Sequence, residues 1–250
     1  MTGFERQSKI LELLKERRFV TVDTISSVLY ASGATVRRDL AVMAERGLIK
    51  RVRGGAVLFD GISQDLPRLL RENQNVDGKK IIAQFALQFL HDSMTVFLDS
   101  SSTAVALAER MGEFQKLSVV TNSIPAACYL NDTSNATIYL CGGVITNHNA
   151  TMGPSSISFA EGICGDVMFF SCRGFSPEFG TTESNMDASA VKVQMLKNVQ
   201  KRILLCDSSK IGRTFFCKCC PTEKIDVLIT DQKPPQEFLE KLPPSMTVLY

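Results

Sequence analysis

The stretch Ser32-Gly33-Ala34-Thr35-Val36-Arg37-Arg38-Asp39-Leu40, followed by Arg51-Val52-Arg53-Gly54-Gly55-Ala56, decides how this chain is read. Val36, Leu40 and Met43 stand at i, i+4 and i+7, so they share one helical face, and that face is expected to be buried. Arg37 and Arg38 then point away from it, in the direction from which a DNA major groove would receive them. Ser32 suits the N-cap, which sets free backbone N–H groups and the positive end of the helix toward a phosphate. An Arg-Arg pair alone is also what a solvated surface helix carries. The neighbouring residues argue for the sharper reading.

Those neighbours make up a small domain over residues 1–60. Ser8 to Arg17 places Ile10, Leu13 and Leu14 on one stripe of a first helix. Thr21-Val22-Asp23-Thr24 starts a second, with Val22, Ile25, Val28 and Leu29 expected to face inward. Tyr30-Ala31-Ser32 is a tight turn, and the Arg37-Arg38 helix follows. This is helix-turn-helix geometry, in which the second helix of the pair enters the groove. Gly47 suits the end of that helix. Leu48 to Arg51 and Ala56 to Phe59 read as two short strands around Arg53-Gly54-Gly55, the winged variant. The DNA-contacting set is therefore Ser32, Thr35, Arg37, Arg38, Arg51, Arg53, Gly54 and Gly55. Charge follows the same division: residues 1–60 hold 11 basic and 7 acidic residues, against 17 and 19 in the remainder. Arg37, Arg38, Lys50, Arg51 and Arg53 concentrate the excess in helix and wing, as a nucleic-acid footprint requires. Gly33 is unusual, because glycine costs about 1 kcal/mol inside a helix. The cost is smaller in the first turn, and the missing side chain lets the backbone approach DNA closely.

The 250 residues suit two domains, and a hydrophobic content of 44% is enough for a real core. No apolar run reaches the roughly 20 residues of a membrane span, and no secretory signal pattern is present, so a soluble, cytoplasmic protein is expected, with no membrane partner. Of the eight cysteines, Cys141 and Cys206 close apolar runs and behave as small buried hydrophobes, reduced by default. Cys217-Lys218-Cys219-Cys220 lacks the paired C-x₂-C spacing of a zinc site, and His91 and His148 are distant in sequence. No metal or cofactor is expected. Residues 61–76, polar and interrupted by Pro67, read as a linker.

From residue 77 to 250 strands and helices alternate, which implies a mostly parallel sheet covered on both faces. Strands are expected at 95–98, 117–120, 137–140, 167–170, 202–205 and 227–230, with helices at Lys79–Phe89, Thr103–Met111 and Ile124–Leu130. Ligands bind at the carboxyl ends of such strands. There stand Asp99-Ser100-Ser101-Ser102-Thr103, Thr121-Asn122-Ser123, Cys141-Gly142-Gly143 and Asp207-Ser208-Ser209-Lys210. Each is by itself an ordinary cap or turn. Together they offer hydroxyls, amides, backbone N–H groups and an ammonium, a bowl suited to a phosphate, with Asp99 as an acceptor for sugar hydroxyls.

With both halves quoted, the chain resembles the DeoR family of bacterial transcription regulators over nearly its whole length. The N-terminal match is Val22 to Leu29, Ser32, Thr35 to Leu40, Gly47-Leu48 and Arg51 with Gly54-Gly55-Ala56. The C-terminal match is Phe97 to Thr103, Val119 to Ser123, Gly142-Gly143, Gly153, Gly174, Gly180-Thr181, Val191-Lys192 and Asp207 to Lys210. The resemblance implies a winged helix-turn-helix domain joined to a larger α/β domain similar to ribose-5-phosphate isomerase. It also implies a repressor of sugar catabolism that acts on double-stranded DNA as an oligomer, at least a dimer, and senses a phosphorylated sugar or related metabolite. The effector set is then Asp99, Ser100, Ser101, Ser102, Thr103, Thr121, Asn122, Ser123, Gly142, Gly143, Gly153, Lys192 and Lys210.

Two departures from the family pattern stand out. Arg53 takes the place of the usual His before Gly54-Gly55. The glutamate usual before Val191-Lys192 is absent from Asp187-Ala188-Ser189-Ala190, so either Asp187 substitutes from one position earlier or the carboxylate is lost. The fold is shared with enzymes, so a sugar-phosphate isomerase with an accessory DNA-binding domain stays open, with Asp99 as base and Lys210 as charge stabiliser. A sensor that has lost its ligand and serves only assembly stays open too.

Overall fold

The computed structural model describes residues 2–17, 19–45, 48–58, 75–145 and 150–250. They fall into two compact units, one N-terminal up to residue 58 and one from residue 75 onward.

In the N-terminal unit, α1 (Gly3–Arg17), α2 (Val22–Leu29) and α3 (Gly33–Glu45) pack on a three-stranded antiparallel sheet. Its strands are β1 (Phe19–Thr21), β2 (Ile49–Val52) and β3 (Gly55–Leu58), in the order β1-β3-β2. The core joins Ile10, Leu11 and Leu14 of α1 to Val22, Ile25 and Leu29 of α2 and to Val36, Leu40 and Met43 of α3. Leu13 is only partly buried against it. Val28 does not face inward and is 47% exposed. At 100° per residue Val22, Ile25 and Leu29 share a narrow arc, and Val28 lies about 60° outside it. β1 and the start of α1 before Ser8 carry no strong sequence signal; three residues are enough for β1 because Val20 pairs with Ala56 across β3. Gly47, Phe59 and linker residues 61–74 lie outside the described residues. The last two linker positions are corrected: Asn75 is an N-cap whose side chain accepts from Gly78 N, and Val76 is the first helical residue.

The second unit begins with α4 (Val76–Ala86), which ends in a 3₁₀ turn at Leu87–Phe89. It continues with β4 (Thr95–Leu98), α5 (Ser102–Ala108), β5 (Ser118–Thr121), α6 (Ile124–Thr133) and β6 (Thr137–Leu140). A small hairpin, β7 (Val144–Ile145) and β8 (Thr151–Met152), leads to α7 (Pro154–Glu161) and β9 (Gly165–Phe170). Next come β10 (Gly174–Ser176), β11 (Gly180–Glu183), α8 (Met186–Lys197) and β12 (Val199–Leu205). The chain closes with β13 (Cys217–Cys220), β14 (Val227–Ile229), α9 (Gln236–Leu239) and β15 (Thr247–Leu249).

Seven strands form one sheet in the order β15-β14-β12-β9-β4-β5-β6, and every pair in it is parallel. Alternate residues enter two separate cores: Phe97, Val120, Met168, Phe170 and Leu204 on one face, Val96, Leu98, Val119, Phe169 and Ile203 on the other. Burial on both faces explains why these strands read as unbroken apolar runs. All carboxyl ends therefore emerge at one edge. The antiparallel sheet β10-β11-β13 was not expected from the sequence. It explains the cysteine run, since Cys217 and Cys220 pair with Glu183 and Thr181 of β11. Burial pushes the Cys219 and Cys220 thiols up to about 12, which keeps them neutral.

Candidate functional sites: a DNA-binding face and a sheet-edge network

In the N-terminal unit Ser32 caps α3: its Oγ accepts from Thr35 N at 3.2 Å and lies 2.9 Å from Thr35 Oγ1. Arg37 and Arg38 are exposed, with Val36, Leu40 and Met43 buried beneath them. Asp39, which follows them, is buried and accepts from Arg6 Nε at 2.7 Å and Nη2 at 3.3 Å, which ties α3 to α1. The wing carries exposed Arg51 on β2 and exposed Arg53 and Gly54 in the turn, the last at φ +84°. A Cβ on Gly55 would lie 2.3 Å from the Val20 carbonyl oxygen, so only glycine lets β3 close on β1. Val22 joins the parts: its N–H donates to Gly54 O at 2.9 Å, and its Cγ1 lies 3.8 Å from where a Gly33 Cβ would stand. The starts of α2 and α3 and the wing turn thus meet at one residue.

At the sheet edge of the second unit the expected residues form two hydrogen-bonded groups. The first centres on Asp99, which is 2% exposed. Its Oδ1 accepts from Ser101 N at 3.1 Å and Ser101 Oγ at 2.6 Å; its Oδ2 accepts from Ser171 N at 3.1 Å and pairs with Lys192 Nζ at 2.9 Å. Lys192 also donates to Ser171 O and to Glu183 Oε1. An ammonium has three donors, so Lys192 is fully engaged. Burial pushes its pKa down, but Asp99 and Glu183 outweigh burial and hold it above the ordinary value. Lys210 Nζ donates to Ser171 Oγ at 2.9 Å and pairs with Asp207 Oδ2 at 3.0 Å. Burial opposes that charge too, yet Asp207 raises the lysine, and Lys210 in turn lowers Asp207.

The second group surrounds β8. Asn122 Nδ2 donates to Thr151 O at 3.1 Å, Thr121 Oγ1 accepts from Ser123 N, and Ser123 Oγ caps α6 by accepting from Ala126 N. Ser156 donates to Gly142 O. Gly143 (φ +138°) and Gly153 (φ +97°) occupy conformations that suit glycine, Gly153 immediately ahead of α7. Ser102 and Thr103 open α5 and are buried, while Ser100 is half-buried.

Two residues escaped sequence reading. Ser171, at the end of β9, engages Asp99, Lys192 and Lys210 through its N–H, carbonyl and hydroxyl. Glu183, at the end of β11, brings a carboxylate to Lys192, accepting from its Nζ through Oε1. Asp187 does not substitute for it: its side chain is exposed in the first turn of α8. Only the pairing of β11 with its neighbours brings Glu183 to Lys192, and no local motif announces that.

A DeoR-like helix-turn-helix domain model matches residues 6–61, and a DeoR C-terminal sensor domain model matches residues 74–232. The chain belongs to the DeoR family. Similar curated proteins include the HTH-type transcriptional regulator GolR of Listeria innocua, 36% identical over 93% of this chain and 92% of that protein. The HTH-type transcriptional repressor GlcR of Bacillus subtilis is 33% identical over 95% and 92%, and the regulator UlaR of Shigella sonnei 34% over 97% and 96%. Among solved structures, ribose 5-phosphate isomerase A of Methanocaldococcus jannaschii aligns with a TM-score of 0.42 at 15% identity over 55% of both chains. This DeoR member is a DNA-binding transcriptional regulator, and none of its described helices is long and apolar enough to cross a membrane.

Proposed function

We propose that the protein represses a sugar-catabolism operon and is released from DNA when a phosphorylated sugar binds in its C-terminal unit. On this reading residues 1–60 are the DNA-binding domain and residues 75–250 the sensor and assembly domain. The observation that carries the DNA half is the meeting of the α3 N-terminus and the wing turn at Val22, with Arg37, Arg38, Arg51 and Arg53 exposed around them. Thr35, Arg37 and Arg38 contact DNA from α3, and the wing arginines reach phosphate or the minor groove. At the sensor edge Lys210 keeps one N–H unclaimed by the described residues and serves the phosphate; Lys192 positions Asp99 and Glu183. The protein works as a dimer or larger oligomer on repeated half-sites.

The isomerase reading is disfavoured by the occupancy of Asp99. A general base needs a free lone pair facing substrate, and four donors already surround this carboxylate. The deciding experiment is fluorescence anisotropy on DNA from upstream of the protein's own gene, at fixed salt, with sugar phosphates and their unphosphorylated forms. Specific binding released by a phosphorylated sugar alone is expected. Specific binding indifferent to every phosphate refutes the sensor half; absence of specific binding refutes the DNA half.

A further inference from the structure

The carboxylates at the sheet edge differ in how many of their acceptor positions the protein fills. Asp99 accepts four donors, and Asp207 accepts Ser209 N and Ser209 Oγ as well as pairing with Lys210. Among the described residues the Glu183 carboxylate accepts a hydrogen bond only from Lys192, through Oε1. Its Oε2 forms a long ion pair with Arg173 Nε at 4.0 Å and accepts a hydrogen bond from no described residue. Glu183 is nevertheless only 7% exposed. A mostly buried carboxylate oxygen that no described hydrogen-bond donor fills gains a charge-assisted hydrogen bond when a ligand donor reaches it. Two groups on the flanking segments are buried without a partner: Thr103 Oγ1, in the first turn of α5, and Ser184 Oγ, next to Glu183 in sequence.

We propose that Glu183 Oε2 reads the non-phosphate end of the ligand, so that the sensor takes phosphorylated sugars ending in neutral hydroxyl donors and rejects those ending in a carboxylate. The proposal rests on the sugar-phosphate reading above. A sugar hydroxyl donates to Oε2 and completes it. A sugar-acid carboxylate presents only acceptors and a like charge to the same oxygen. The phosphate belongs away from Glu183, toward Lys210.

The test uses matched pairs that differ only in that end: ribose 5-phosphate against 5-phosphoribonate, and glucose 6-phosphate against 6-phosphogluconate. Calorimetry on the full chain is expected to favour the aldose member of any pair that binds. In Glu183→Gln the amide donates as well as accepts, so the preference should shrink by about 10- to 100-fold, the loss of a hydrogen bond to a charged group. Thermal melting of the unliganded variant checks that it folds, and the wild-type preference stands without it. Equal binding of both members, preference for the acid, or an unchanged ratio in the folded variant overturns the proposal. Binding of no phosphate by a chain that still binds DNA overturns the sugar-phosphate reading itself, and this proposal with it.

Discussion

Gly33 opens the recognition helix at a place where the fold has room for a side chain. A Cβ there would meet Arg37 Nη1 at 3.4 Å and Val22 Cγ1 at 3.8 Å, both ordinary contacts. Alanine is also the better helix former, by up to about 1 kcal/mol. If the glycine serves close approach to DNA, Gly33→Ala keeps or raises the melting temperature and weakens operator binding; equal affinity would show that it serves neither fold nor DNA. Arg37 allows a sharper test. Its loss should cost about 1–3 kcal/mol of specific affinity if it makes a bidentate base contact, with little change on unrelated DNA. Anisotropy on both duplexes separates a base contact from a phosphate contact, which would weaken both alike. The exposure of Arg37 was legible because Val36, Leu40 and Met43 define the buried face beneath it. Val28 was misjudged because apolar character does not say where the edge of a buried stripe falls.

Gly143 shows what the elements demand of single residues. It holds φ +138°, and a Cβ would lie 2.4 Å from the Met152 carbonyl oxygen, where β7 crosses β8. Gly143→Ala therefore combines backbone strain with a clash against a main-chain atom that has little freedom to move. A loss of about 1–3 kcal/mol is expected in urea unfolding, together with faster hydrogen exchange at the amide of Thr151, which bonds to Asn122 O. Native-like exchange there would mean that the hairpin absorbs the change. Among the elements themselves, the central parallel strands were readable from their apolar runs. β10, β11 and β13 were not: they are short, polar or cysteine-rich, and exist because they pair with one another.

At the scale of the molecule, the linked charges at the sheet edge tie stability to pH. Lys210 lowers the Asp207 pKa against burial, so the folded carboxyl titrates below its unfolded value of about 3.9. A depressed carboxylate contributes stability above that value and loses it as pH falls through the folded pKa. The second unit should thus weaken progressively below about pH 4, and Asp207→Asn should flatten that part of a urea-midpoint profile measured against pH. A variant with the same acid slope as wild type would place the acid-labile group elsewhere. Lys192 acts at the other extreme: its raised pKa stabilises the fold at neutral pH, and that contribution is lost only in strong alkali as pH rises through the folded value.

What the sequence determined by itself is local and periodic: the helix-turn-helix, the basic wing, the parallel strands, and the hydroxyl-rich loops after them. Spacings of 3.6 and 2, caps and turn residues act within a few positions and leave their mark on the chain. The partners of those loops were decided only by the tertiary structure. Ser171 donates to Asp99 from 72 residues away and accepts from Lys210 at a separation of 39. Glu183, nine residues before Lys192, reaches it from the end of a strand that no pattern announces. Which carboxylate meets which cation depends on strand order and register, which are settled by packing both faces of the sheet at once.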